Sequence, residues 1–111
     1  MKTYQKLVLI ITALFFAGVA QVSLAADTVW IDVRSEKEYQ AEHLEGTEFI
    51  PHTQIGEQIG KLNLSKDTPI KLFCRSGGRA GIAEKTLMEM GYTNVQNVGG
   101  IADAKKLMSE N

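Results

Sequence analysis

Six residues, Cys74-Arg75-Ser76-Gly77-Gly78-Arg79, separate a short apolar run from the most regular helical pattern in the chain. Before them, Thr68 to Phe73 reads as a strand, with Pro69 tolerated only at its start. After them, Ile82, Ala83, Leu87 and Met90 recur at helical spacing, predicting a helix over 80–90 with these side chains on one face. Gly91 supplies its C-terminal cap. A strand, a tight loop and a helix in immediate succession form the building unit of an α/β sheet.

The rest of the chain keeps that alternation. Val29-Trp30-Ile31-Asp32-Val33 is β-branched and aromatic and predicts a buried strand. Ser35 and Glu38 have the spacing of a capping box, which starts a short helix running to about His43. Gly46 ends that unit. Glu48-Phe49-Ile50 predicts a brief strand stopped by Pro51. Thr53 is a candidate cap for a helix through Ile55, Ile59 and Leu62, although Gly56 and Gly60 weaken the pattern. Asn94 to Val98 reads as the last strand, and Gly99-Gly100 as a turn into a terminal helix through Leu107 and Met108. The expected fold is α/β, a central, mainly parallel sheet of short strands with helices on both faces. Ligands of such sheets sit beyond the carboxyl ends of the strands, and Cys74 follows one of those ends directly.

The first 25 residues belong to a different class. Lys2 and Lys6 precede a predominantly apolar stretch from Leu7 to Ala20, and Ser23-Leu24-Ala25 ends in small residues at the −3 and −1 positions of a cleavage site. That combination predicts a secretory signal peptide over 1–25 and a single domain over 26–111. The apolar run is shorter than the roughly 20 residues a membrane-spanning helix needs. Export places the mature domain in the periplasm, with no membrane association after cleavage.

The chain has 111 residues, with 12 basic and 13 acidic side chains. Losing the two lysines of the leader leaves a mildly acidic domain, which has no electrostatic reason to seek nucleic acid or an anionic membrane. A domain of this size buries only roughly 60–65% of its unfolded surface. Small exported domains often offset so thin a core with disulfides, but Cys74 is the only cysteine. A lone thiol in an oxidising compartment points to use.

The loop supplies the chemistry. Gly77 and Gly78 permit backbone conformations in which successive amides turn inward and form a concave anion site. The following helix adds the partial positive charge of its N-terminus, and Arg75 and Arg79 add full charges. Each effect favours thiolate over thiol, and such settings lower a cysteine pKa from about 8.5 into a range of roughly 3.5–7.5. A buried core cysteine, the commoner fate of a lone thiol, has no need of two arginines and two glycines within five positions.

The loop resembles the active-site loop of the rhodanese family, and the likeness extends along nearly all of the mature chain. Asp32-Val33-Arg34 is similar to that family's Asp-x-Arg motif, with Glu38-Tyr39 at the familiar interval. His43-Leu44-Glu45-Gly46-Thr47, leading to Ile50-Pro51, and later Gly91-Tyr92 and Gly99-Gly100-Ile101, resemble its other motifs. Together with the leader, these features most resemble the small single-domain, phage-shock-type periplasmic rhodaneses. Glu42, Thr47 and the Asp103-Ala104 pair depart from the pattern, standing where glycine, alanine and an aromatic residue are usual.

The resemblance implies a thiosulfate sulfurtransferase in which Cys74 is the nucleophile and carries sulfur as a persulfide. Arg75, Ser76, Gly77, Gly78 and Arg79 would bind the substrate. No metal or organic cofactor is implied. The partners would be a small-molecule sulfur donor and a thiol or cyanide acceptor, handled by a monomer or weak dimer. Asp32 and Arg34 fit a structural ion pair and loop anchor better than catalysis. His43 and His52 have no metal-ligand spacing.

Two other readings share these residues. Cysteine-dependent phosphatases and arsenate reductases use Cys-x5-Arg loops sized for a tetrahedral oxyanion. Here the loop is Cys-x4-Arg, one residue shorter, and no Asp acid is suitably placed. A binding or carrier module is the other: retention of Cys74 argues against an inert module, whereas a single-turnover sulfur carrier would look the same in sequence.

Overall fold

The computed structural model describes residues 27–110, and the predicted leader lies outside them. Four strands, β1 (Val29–Asp32), β2 (Glu48–Phe49), β3 (Ile70–Cys74) and β4 (Val95–Gly100), form one sheet in the order β2-β1-β3-β4. Every pairing is parallel. The helices are α1 (Glu36–Ala41), α2 (Ile55–Gln58), α3 (Gly78–Glu89) and α4 (Ile101–Ser109). Among the described residues, no helix is long and apolar enough to cross a membrane.

The alternation of side chains along each strand divides the core in two. Ile31, Ile70, Leu72 and Cys74 point to one face, where they meet Ile55, Ile59 and the Ala80, Ala83 and Leu87 stripe of α3. Trp30 and Phe73 point to the other and meet Ala104, with Ile101, Leu107 and Met108 packed alongside. Each fully buried large apolar side chain contributes about 1.5–3 kcal/mol of transfer free energy. Helices therefore cover both faces, as parallel sheets require.

Several local expectations are corrected. Ile82 and Met90 do not face the core, being 56% and 39% exposed. The buried stripe is Ala80, Ala83 and Leu87; Ile82 lies about 100° round the helix from Ala83, and Met90 is already the C-cap. Thr53 caps nothing: it sits inside a 3-10 turn, His52–Gln54, begun at Pro51. Regular helix is confined to α2, with a second 3-10 turn, Ile59–Leu62, after it. Helix α1 has the predicted capping box, yet stops at Ala41 because Glu42 is extended, its carbonyl accepting from Arg34 Nη2 at 2.6 Å. Strand β4 continues through Gly99 and Gly100 instead of turning at them.

That last difference positions the site. Gly100 pairs with Cys74 at the end of the sheet, and a Cβ on Gly100 would stand 2.3 Å from the Arg75 carbonyl oxygen. The backbones approach so closely that only glycine fits. Chain order reverses between β1 and β3, where β1 leads outward to β2 on one side and β3 to β4 on the other. Such a switch point opens a crevice beyond the carboxyl ends of the strands, and Asp32 and Cys74 are the two residues that end there. Replacing Gly100 with alanine is expected to cost about 1–3 kcal/mol by overpacking and to lower the thermal midpoint by roughly 4–8 °C per kcal/mol. An unchanged midpoint in a melting experiment would contradict this close approach.

Candidate active site

Cys74 is almost fully buried at the end of β3, its side chain continuous with the α3-side core. A sulfur in this position is stripped of water on one side and faces the turn into α3 on the other. Gly77 makes the turn at φ +106°, ψ −17°, serving as N-cap of α3 without a capping side chain. Its amide donates to Cys74 Sγ at 2.9 Å. Burial pushes the thiol pKa up, but the amides of Ala80, Gly77, Ser76 and Arg79 outweigh it and hold the thiol below its ordinary value. Amides around a partly desolvated anion act strongly because little water competes for it.

The two arginines of the loop are placed differently. Arg79 extends across to α1, where Nη1 donates to Glu38 Oε1 at 2.6 Å and Nη2 to Oε2 at 3.0 Å. This two-pronged pair is the strong form of an arginine–carboxylate contact. It holds the Glu38 carboxyl far below the usual carboxylate range, with the Ser35 amide helping. The same bonds strengthen the charge on Arg79, and the Cys74 sulfur acts in the same direction. Arg79 thus sits between Glu38 and the sulfur. Arg75 and Ser76 are exposed. Arg75 lines a cleft of about 220 Å³ with Arg34, Glu38, Ala41, Glu42 and Ile101.

Below the cleft, Asp32 and Arg34 form a buried pair. Arg34 Nε and Nη2 donate to the Asp32 carboxylate at 2.7–3.0 Å, and the Arg34 amide adds a bond of 3.0 Å to Oδ1. The hydrogen bonds to Asp32 raise the Arg34 pKa against its burial. Through Nη2, Arg34 also anchors the Glu42 carbonyl and so sets the wall of the cleft. The two histidines stand apart from the sulfur: His43 stacks on Tyr39, with centroids 4.3 Å apart, and His52 is half-buried in its 3-10 turn.

Sequence reasoning missed three contributors. The Ala80 amide acts on the sulfur from the first turn of α3, a position readable from any helix that starts at a bound anion. The Glu38–Arg79 pair spans 41 residues, and Glu38 was legible as half of a local capping box and as part of the Glu38-Tyr39 motif, neither of which points to Arg79. Asp103, one of the positions that depart from the family pattern, accepts from the Gly100 amide at 2.9 Å and caps α4.

A parallel α/β domain with a cysteine in an amide cradle at its switch point has the architecture of doubly wound folds, whose ligands sit beyond the carboxyl ends of the strands. Residues 19–106 match the rhodanese-like domain, and the chain belongs to the rhodanese family. It is 42% identical over 74 residues to the thiosulfate sulfurtransferase PspE of Escherichia coli, covering 67% of this chain and 71% of that protein. A solved structure described as a rhodanese with anions, also from E. coli, superposes with a TM-score of 0.66 at 40% identity, covering 69% of this chain and 91% of the other. The putative sulfur carrier protein YrkF of Bacillus subtilis is 32% identical over 61% of this chain, which spans only 36% of that longer protein.

The Glu38 carboxyl has a depressed folded-state pKa, so its contribution to stability is complete above the unfolded value of about 4.3 and is lost as pH falls from there toward the folded value. Glu38→Gln is therefore expected to lower the urea midpoint at pH 7 and to differ progressively less from the unmodified chain below pH 4.3. A difference constant from pH 7 to pH 3 would contradict the assigned pair.

Proposed function

We propose that the chain is a thiosulfate sulfurtransferase that moves sulfane sulfur from thiosulfate to a thiophilic acceptor through a persulfide on Cys74. The observation that carries this reading is the Cys74 sulfur at the base of a ring of loop amides, one of them 2.9 Å away. In the first step the thiolate attacks the outer sulfur of thiosulfate. The new Cys–S–S bond forms as the S–S bond of thiosulfate breaks, and its electron pair leaves with sulfite. In the second step the acceptor, cyanide in an assay or a thiolate in the cell, attacks the terminal sulfur, and the electron pair returns to Cys74. Such a covalent relay gives ping-pong kinetics.

The amides from Arg75 through Arg79, together with that of Ala80, would hold the terminal sulfur as an oxyanion hole holds oxygen. Arg79 has both Nη groups on Glu38, so its part is to lend positive field near the sulfur. Arg75, on the cleft wall, is the cation left to steer and seat a dianionic donor. Residues 1–25 serve as a cleavable signal peptide in this account, which places the domain over 26–111 in the periplasm. A single-turnover carrier is the second reading, supported by the likeness to the putative carrier YrkF.

Cys74→Ser is expected to reduce thiocyanate formation from thiosulfate and cyanide by at least about 10⁴-fold. Retained turnover would overturn the reading, and a stoichiometric burst from the unmodified chain without later turnover would favour the carrier. Arg75→Ala is expected to raise the KM for thiosulfate roughly tenfold, equivalent to about 1.4 kcal/mol, with a smaller change in kcat. An unchanged KM would show that the donor is seated elsewhere.

A further inference from the structure

Strand β4 carries an irregularity beside the reactive loop. Leu72 of β3 aligns with Asn97, but the next residue, Phe73, aligns with Gly99, so Val98 is an extra residue in β4. Bulges of this kind commonly lie next to active sites and re-aim a side chain. Here the side chain is that of Asn97, half-buried and turned toward the loop after Cys74. Its Nδ2 donates to the Gly77 carbonyl at 2.9 Å, and its Oδ1 accepts from the Gly99 amide at 2.9 Å. Its own amide donates to Glu84 Oε2 on α3 at 3.2 Å. One side chain therefore bridges the bulge and the turn that faces the sulfur.

We propose that Asn97 is a positioning residue for the anion cradle, fixing the rotation of the peptide between Gly77 and Gly78 so that the loop amides converge on Cys74 Sγ. Two adjacent glycines give this peptide rotational freedom that the loop's own side chains do not restrain. Its carbonyl oxygen is taken by two donors, Asn97 Nδ2 and the Gly81 amide, the latter also at 2.9 Å. Without the Asn97 bond, a single helical hydrogen bond is left to hold it. Rotation of this peptide would turn a carbonyl dipole toward the anion and disperse the amides. Preorganised dipoles are effective because they need not reorient when charge appears. The inference rests on reading Cys74 as the nucleophile, but it concerns the thiolate alone and holds for any sulfur donor or acceptor.

The test is the pH dependence of Cys74 alkylation by iodoacetamide, which needs no sulfur substrate. It compares the unmodified chain with Asn97→Ala and Asn97→Asp, with urea melts confirming that each variant is folded. Asn97→Asp keeps the acceptor for Gly99 and loses the donor to Gly77. Both variants are expected to raise the alkylation midpoint by about one pH unit, a roughly tenfold slower reaction below the midpoint, with the limiting rate at high pH unchanged. Asn97→Asp adds a carboxylate whose through-space effect salt screens little at a partly buried site, so the uncharged Asn97→Ser is measured beside it and is expected to show the same shift. If the alanine variant does not fold, the serine variant decides. An unshifted midpoint in any folded variant, or a shift confined to Asn97→Asp, would overturn the proposal. Absence of sulfur transfer from thiosulfate in the unmodified chain, with the alkylation shifts as expected, would instead count against the proposed function alone.

Discussion

A cysteine at the end of a buried strand can carry negative charge only where donors meet it, because an unpaired charge away from water is among the costliest things a fold can hold. In this domain the donors are backbone amides. They converge because Gly77 turns the chain at positive φ and because α3 begins at once behind it. Gly100 lets β4 come close enough to support the turn, and the two-sided core fixes the strand from which Cys74 projects.

The charged side chains around the loop are largely committed to one another. Asp32 neutralises Arg34 within the buried layer, and Glu38 neutralises Arg79 at the cleft wall. Both pairs tie the segment between β1 and β2 to the end of the sheet, so the cleft is built from parts far apart in sequence. This division has a functional meaning in the proposed reaction. There the thiolate is sustained by neutral backbone dipoles, while Arg75 stays at the cleft for a mobile anion.

Much of the fold was legible because its signals are local. The capping box of Ser35 and Glu38, the β-branched run at Val29 and the cap at Gly91 each depend on a few neighbouring residues. The parallel sheet followed from the alternation of strand and helix patterns. Cys74 was legible for the same reason, since its glycines and arginines are adjacent to it. Less was readable where tertiary contact chooses among local options. The buried stripe of α3 is set by how the helix lies on the sheet, so Ile82 satisfied the periodicity and still faces water. Continuation of β4 through two glycines depends on pairing with β3 and on a bulge with no sequence signature. Glu38 and Asn97 meet the loop only after the chain has folded, and nothing beside them in sequence announces it.

The central claim is that Cys74 itself carries the transferred sulfur, and intact-mass measurement tests it most directly. After incubation with thiosulfate and no acceptor, the protein should gain the mass of one sulfur atom, located at Cys74 by peptide mapping. Cyanide should remove it and restore the starting mass. No gain, or an equal gain in Cys74→Ser, would contradict the account.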